Sequence, residues 1–147
     1  PALIAEAARR VGSQSVVVVI DVKQQAGHYK AWTHNGRQAV DVDPIQLARR
    51  AQAEGAGEIV INSIDRDGVM QGYDLDFLRQ VRAAVSLPLT GLGGAGSLNH
   101  VAELIRDLGV VGAAAGSLFV FKGKFRAVLI NYPSRAEKDR LVSAAVG

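Results

Sequence analysis

Residues 16–22 run Val-Val-Val-Val-Ile-Asp-Val, a β-branched stretch broken by a single charge. A continuous apolar run of this kind fits a strand covered on both faces, as in parallel sheets shielded by their crossover helices. Residues 59–64 (IVINSI), 87–90 (LPLT) and 110–115 (VVGAAA) are further short apolar runs. Segments of helical period separate them. Leu3, Ile4, Ala7 and Ala8 share one side of a helix predicted over 1–11. Leu75, Leu78, Val81 and Val85 form a stripe over 74–85, and Leu98, Val101, Leu104 and Ile105 form another over 97–108. A further helix is predicted over 43–54, with Asp43 as N-cap and Pro44 at the first helical position. Gly55 and Gly109 follow two of these segments where left-handed C-caps belong. A last helix is expected near 134–145.

The order is helix, strand, helix, strand, repeated to a fourth strand and then a tail. It predicts an α/β fold of βαβ units with right-handed crossovers. Two layouts satisfy it, an open doubly wound sheet and part of a (βα)8 barrel. A complete barrel takes about 250 residues. This chain has 147, so its four strands amount to half of one, in a single domain over 1–147. It begins with Pro1 rather than Met, inside a helical pattern, which suggests a piece of something larger.

Composition narrows the function classes. Hydrophobic residues make up 48% and charged residues 21%, too apolar for a disordered chain. Net charge is +3, with the charges scattered and no basic block, so no nucleic-acid partner is expected. The absence of cysteine excludes disulfides, thiolate metal sites and a Cys nucleophile, and fits a reducing cytoplasm. The apolar run over 16–20 is far below the ~20 residues of a membrane span, and no signal peptide opens the sequence, so no membrane partner is expected. His28, His34 and His100 are too scattered to suggest a metal site, and no cofactor is called for.

In either layout, ligand groups belong on the loops after the C-terminal ends of the strands. Asp21 lies inside an apolar strand between Ile20 and Val22. It is either a structural carboxylate satisfied by backbone N–H groups or a general acid or base at the strand end. The next strand exits through Asn62-Ser63-Ile64-Asp65-Arg66-Asp67-Gly68, which is either a solvated, salt-bridged loop or a ligand loop whose Gly68 lets the backbone approach an anion. Gly91-Leu92-Gly93-Gly94-Ala95-Gly96-Ser97 then opens a helix. Such a turn presents backbone N–H groups to a phosphate, although a tight strand–helix turn also needs glycine. It matches neither the P-loop nor the dinucleotide fingerprint. Ala113-Ala114-Ala115-Gly116-Ser117 ends the following run. Two consecutive small-residue strand exits match the phosphate site after strands seven and eight of many barrels, which favours the C-terminal half of a barrel. The polar insert over 24–42, with Tyr29 and Trp32, suggests a short hairpin folded over the strand ends, as lid or as decoration.

Taken together, these residues resemble the cyclase subunit of imidazole glycerol phosphate synthase, the HisF family. The resemblance runs from Pro1 to about Phe121 and covers the family's C-terminal half. It rests on Gly12-Ser13-Gln14-Ser15 leading to Asp21, Thr33-His34-Asn35-Gly36, Gly55-Ala56-Gly57-Glu58-Ile59, Ser63-Ile64-Asp65-Arg66-Asp67-Gly68, Gly72-Tyr73-Asp74, Gly93-Gly94-Ala95-Gly96 and Ala115-Gly116-Ser117. It implies a carbon–nitrogen lyase of histidine biosynthesis that closes an imidazole ring with ammonia from a HisH-like glutaminase partner, delivered through the barrel. The implied substrate is a small molecule carrying two phosphates. Asp21 would be the strand-five member of a pair of acid–base aspartates, and Glu58 would stand at the ammonia entrance. One phosphate would fall on Ser63, Asp67, Gly68, Gly93, Gly94, Gly116 and Ser117.

The departures are informative. Strands one to four have no counterpart here, and with them go the partner aspartate, a loop lysine and the first phosphate site, so the 147-residue piece is expected to be inactive alone. Asn62 stands where histidine-pathway members usually carry Thr, and Leu92 where they usually carry Ser. The tail over 116–133 is similar to a paralogous branch that supplies ammonia for amidination of surface-polysaccharide sugars. A non-catalytic, phosphate-binding half-barrel is the third possibility.

Overall fold

A computed structural model describes residues 2–109, 111–123 and 125–146. Six helices are numbered in chain order: α1 Ala2–Val11, α2 Pro44–Ala53, α3 Leu75–Ala84, α4 Leu98–Leu108, the short α5 Ser117–Val120 and α6 Arg135–Val146. Eight strands are β1 Val17–Gln25, β2 His28–Thr33, β3 Gln38–Val40, β4 Glu58–Ser63, β5 Leu89–Leu92, β6 Gly112–Ala113, β7 Phe121–Lys122 and β8 Ala127–Val128. Pro1 and Val110, the first residues of two predicted elements, lie outside the described residues.

Helix starts follow the side chains that cap them. Asp43 accepts from the Gln46 N–H ahead of Pro44, Asp74 accepts from Phe77 N–H, and Ser97 accepts from His100 N–H. Gly55 and Gly109 follow α2 and α4 with positive φ, but Gly109, at φ 75° and ψ −137°, is not the left-handed C-cap expected there.

The main sheet has the order β3-β2-β1-β4-β5-β6. β1, β4, β5 and β6 are parallel and adjacent in chain order, with Val17 level with Glu58, Ile59 with Leu89, and Thr90 with Gly112. That order excludes the doubly wound alternative. A doubly wound sheet reverses direction at a switch point, whereas crossovers that all step the same way and share one hand lay every helix on one face. The core agrees with this geometry. Ile20, Val22, Ile59, Ile61 and Leu89 alternate along the strands and are buried with Phe77, Leu78, Val81 and Leu104 of α3 and α4. Gly91 permits the close approach, since a Cβ there would lie 2.9 Å from Leu78 Cδ1. The fold is thus a partial (βα) barrel.

The opposite, helix-free face carries Val17, Val19 and Asp21 of β1 and, level with them, Glu58, Val60 and Asn62 of β4. Val17 and Val19 are 50% and 57% exposed there. The outer edge of β1 is paired only from Asp21 onward, where β2 joins it. Along its first half runs a cavity of about 270 Å³ walled by apolar side chains of α1, α2 and the hairpin, among them Ile4, Leu47 and Val40.

Two segments differ from the expectation. β1 does not stop at Val22 but continues through Lys23, Gln24 and Gln25 into a hairpin, pairing with β2 across Ala26 and Gly27. Both turn residues have positive φ, as a two-residue type I′ connection requires. Of the described residues in the strand expected over 110–115, only Gly112–Ala113 form a strand, paired with β5. The tail adds the small β7–β8 hairpin and α6, which packs against α4.

Candidate functional site

Asp21 stands level with Asn62 of β4 on one side and Trp32 of β2 on the other, at the C-terminal end of the parallel ladder. Asn62 Nδ2 donates to Asp21 Oδ1 at 2.9 Å. The carboxylate is therefore held by a side-chain amide from the neighbouring strand rather than by backbone N–H groups. The two residues level with it each carry a buried polar atom without a partner among the described residues, the indole Nε1 of Trp32 and Oδ1 of Asn62. Leaving such an atom unpaired costs about 1–3 kcal/mol, so native structures keep few of them.

Glu58 lies at the other end of the same face, at the start of β4. Thr90 Oγ1 donates to its Oε1 at 2.6 Å. At roughly 3.3 Å per strand residue, Glu58 and Asn62 are about 13 Å apart along the sheet. The positions between them on this face are Val60 and, on β1, Val19.

Three loops meet beyond the strand ends. Asp67 and Gly68 follow β4, Gly93, Gly94 and Ala95 follow β5, and Ala115, Gly116 and Ser117 follow β6. They enclose a notch of about 10 Å³. That admits roughly one oxygen-sized atom. The glycine pair is dictated by backbone contact. Gly93 and Gly94 have φ of +93° and +101°. A Cβ on Gly93 would stand 2.6 Å from the Ser63 carbonyl oxygen, and one on Gly94 would run into that of Gly72. Gly72 N–H donates to Gly94 O at 2.8 Å, locking the two loops together. Tyr73 draws in the third loop by donating from its hydroxyl to Ala114 O at 2.9 Å. Burial pushes the Tyr73 phenol up to about 12.

Of the residues expected to meet a phosphate, Asp67, Gly68, Gly93, Gly94, Gly116 and Ser117 share the notch. Ser63 is not in its wall. Its position alternates onto the helix-covered face, where the residue is 4% exposed, and its carbonyl accepts from the Arg66 and Asp67 N–H groups. It shapes the turn that carries Asp67. The neighbouring charges do not form a salt-bridged loop among themselves. Asp65 Oδ2 accepts from Gln24 N–H at 2.7 Å, extending the ladder beyond β4. Arg66 donates to Gly72 O and lies 3.8 Å from Asp74.

The insert over 24–42 is a pinned hairpin. Tyr29 Oη donates to Asp74 Oδ1 at 3.0 Å, and its ring lies 4.3 Å from that of Phe77. Desolvation, reinforced by the Asp74 hydrogen bond and charge, pushes the Tyr29 phenol up to about 12. His28, His34 and His100 lie on β2, in the following turn and on α4. Sequence reasoning missed the roles of Asn62, Tyr73 and Asp74. A polar residue in the strand run IVINS, level with Asp21, was the available signal for Asn62.

A parallel sheet wound one way, with helices on one face and polar groups at its C-terminal strand ends, has the layout of a (βα)-barrel protein. The profile of the family described as histidine biosynthesis protein matches residues 1–126, and the chain belongs to that family. It is 51% identical over 142 residues to a Vibrio vulnificus protein named "Putative imidazole glycerol phosphate synthase subunit hisF3", covering 95% of this chain and 55% of that one. It is 50% identical over 143 residues to "Putative imidazole glycerol phosphate synthase subunit HisF" of Leptospira interrogans, covering 96% and 56%. To "Imidazole glycerol phosphate synthase subunit HisF" of Chloroherpeton thalassium it is 42% identical over 123 residues, covering 83% and 49%. The chain thus spans about half the length of the curated relatives it matches. Among the described residues, no helix is long and apolar enough to cross a membrane.

Proposed function

We propose that residues 1–147 are strands five to eight of a (βα)8 barrel that acts as the cyclase subunit of imidazole glycerol phosphate synthase. The observation that carries this is the common placement of Asp21 and the three-loop notch at the C-terminal end of one parallel sheet. A phosphate seated at Asp67, Gly68, Gly93, Gly94, Gly116 and Ser117 would anchor the substrate. Asp21 would move protons on and off the closing ring, its Oδ1 held by Asn62 and its Oδ2 turned to that task. Ring closure needs a second carboxylate on the opposite wall, so the 147-residue chain alone would not turn over.

Ammonia from a HisH-like glutaminase would enter at Glu58. The lane from there to Asp21 passes Val19 and Val60, which favours transit of a small neutral molecule over a hydrated ion. The test is ring closure by the full-length protein on the ribulosyl-formimino substrate with ammonium salt replacing the glutaminase. Imidazole formation is the expected result; no turnover contradicts it.

A second function is favoured by one observation. The family profile ends at residue 126, whereas the Vibrio and Leptospira relatives match 142 and 143 residues, so they share part of the tail. With Asn62 and Leu92 at two site positions, this fits a paralogous subunit that conducts ammonia to a separate sugar-amidinating enzyme. Absence of ring closure together with loss of amidinated surface sugar in cells lacking the gene would select this alternative.

A further inference from the structure

Among the described residues, the wall of the notch contains one carboxylate, Asp67, and no Lys or Arg. A phosphate monoester carries close to two negative charges at neutral pH. Backbone N–H groups beside a carboxylate are a poor match for that charge unless a cation stands nearby. A cation serving the notch must come from outside its described wall, which supplies none.

Arg66 is close in sequence, but its guanidinium is engaged by Gly72 O and Asp74. Arg126 is differently placed. It sits at the tip of the β7–β8 hairpin, 58 residues along the chain, and its Nη2 donates to Gly68 O at 2.6 Å. Gly68 is itself part of the notch wall. The hairpin that delivers Arg126 is fastened at its base: Leu129 N–H donates to Val120 O, and Asn131 N–H donates to Phe119 O. The guanidinium lies 5.7 Å from the Phe121 ring, which limits its swing. Of its five N–H donors, one is used on Gly68, and the side chain remains exposed.

We propose that Arg126 is the cation of the phosphate site, a guanidinium carried on the tail hairpin that closes against Gly68 and contacts the oxygens of a bound phosphate monoester. This rests on the notch being a phosphate site. It gives the tail hairpin a ligand-binding role at the end of the family-matched segment.

The experiment is titration of the full-length protein with glycerol 3-phosphate, followed by 31P NMR or calorimetry, in wild type, Arg126→Gln, Arg126→Lys and Ser117→Ala. A charge-assisted hydrogen bond is among the stronger ones, so Arg126→Gln should weaken binding about tenfold or more. It should also flatten the loss of affinity with added salt, while Arg126→Lys restores much of both. Ser117→Ala should weaken binding without changing the salt dependence. If Ser117→Ala weakens binding and Arg126→Gln does not, the role of Arg126 is overturned while the phosphate site stands. If Gln and Lys variants lose affinity equally with unchanged salt dependence, Arg126 is only a clasp for Gly68. If the wild type does not bind, the phosphate site itself fails.

Discussion

Asn62 holds Asp21 across the β1–β4 ladder, its Nδ2 donating to Asp21 Oδ1 at 2.9 Å, so one carboxylate oxygen is fixed by the neighbouring strand. Asp21→Asn in the full-length protein should cut kcat by about 10²–10⁴, the range for losing a positioned acid–base group. Asn62→Leu, which removes the donor but leaves the carboxylate, should cut kcat less, by about 10- to 150-fold, the value of one hydrogen bond to a charged group. Steady-state kinetics on both variants check this. Equal losses would mean that Asn62 does more than orient Asp21, and a near-wild-type Asp21→Asn would make the carboxylate structural.

Ser117 lines the notch and, in the proposed function, would act on the phosphate. Its hydroxyl is expected to contact a phosphate that does not react, so Ser117→Ala should raise KM and leave kcat nearly unchanged. One hydrogen bond to a charged group is worth about 1.5–3 kcal/mol, or roughly a 10- to 150-fold rise. A fall in kcat at constant KM would contradict uniform binding of that phosphate.

The fold was legible where local physics decides the outcome. The β-branched run before Asp21 reads as a strand, although only its helix side is covered and Val17 and Val19 are exposed on the other face, and Asp43 and Ser97 cap the helices they precede. What stayed hidden depends on register between distant segments. Lys23, Gln24 and Gln25 look like a loop because they are polar, yet they are held in β1 by pairing with β2. Ser63 and Asn62 are adjacent polar residues, and only the strand's twofold alternation turns Asn62 toward Asp21 and Ser63 toward the helices. The notch was half legible: its glycines announce a tight turn, but the close approach of Gly94 to Gly72 is a contact between two loops.

Tyr73 provides a pH signature of the loop assembly. Its phenol is raised from an ordinary value of 10.0 to about 12 by burial. Below pH 10 both the folded and unfolded chains keep this proton, and stability is at its full value. Between about 10 and 12 the unfolded chain ionises first, so unfolding free energy falls with rising pH, by up to about 3 kcal/mol for two units. Chemical denaturation of Tyr73→Phe in the full-length protein across this window should show a shallower alkaline decline, with Tyr29 supplying part of the remainder. At neutral pH the variant should lose about 1 kcal/mol with the bond to Ala114. An unchanged alkaline limb would contradict burial as the cause.

All roles assigned to Asp21, Glu58 and the notch depend on the helix-free face being the interior of a closed barrel. That face exposes Val17 and Val19, and the first half of β1 has an edge with no strand beside it among the described residues. Open edges and apolar faces of this kind drive association. Sedimentation velocity of the isolated 147-residue chain, with its unfolding transition followed in parallel, tests this most directly. The expected result is self-association, or a chain without a cooperative transition; a tight, stable monomer across micromolar concentrations would contradict it.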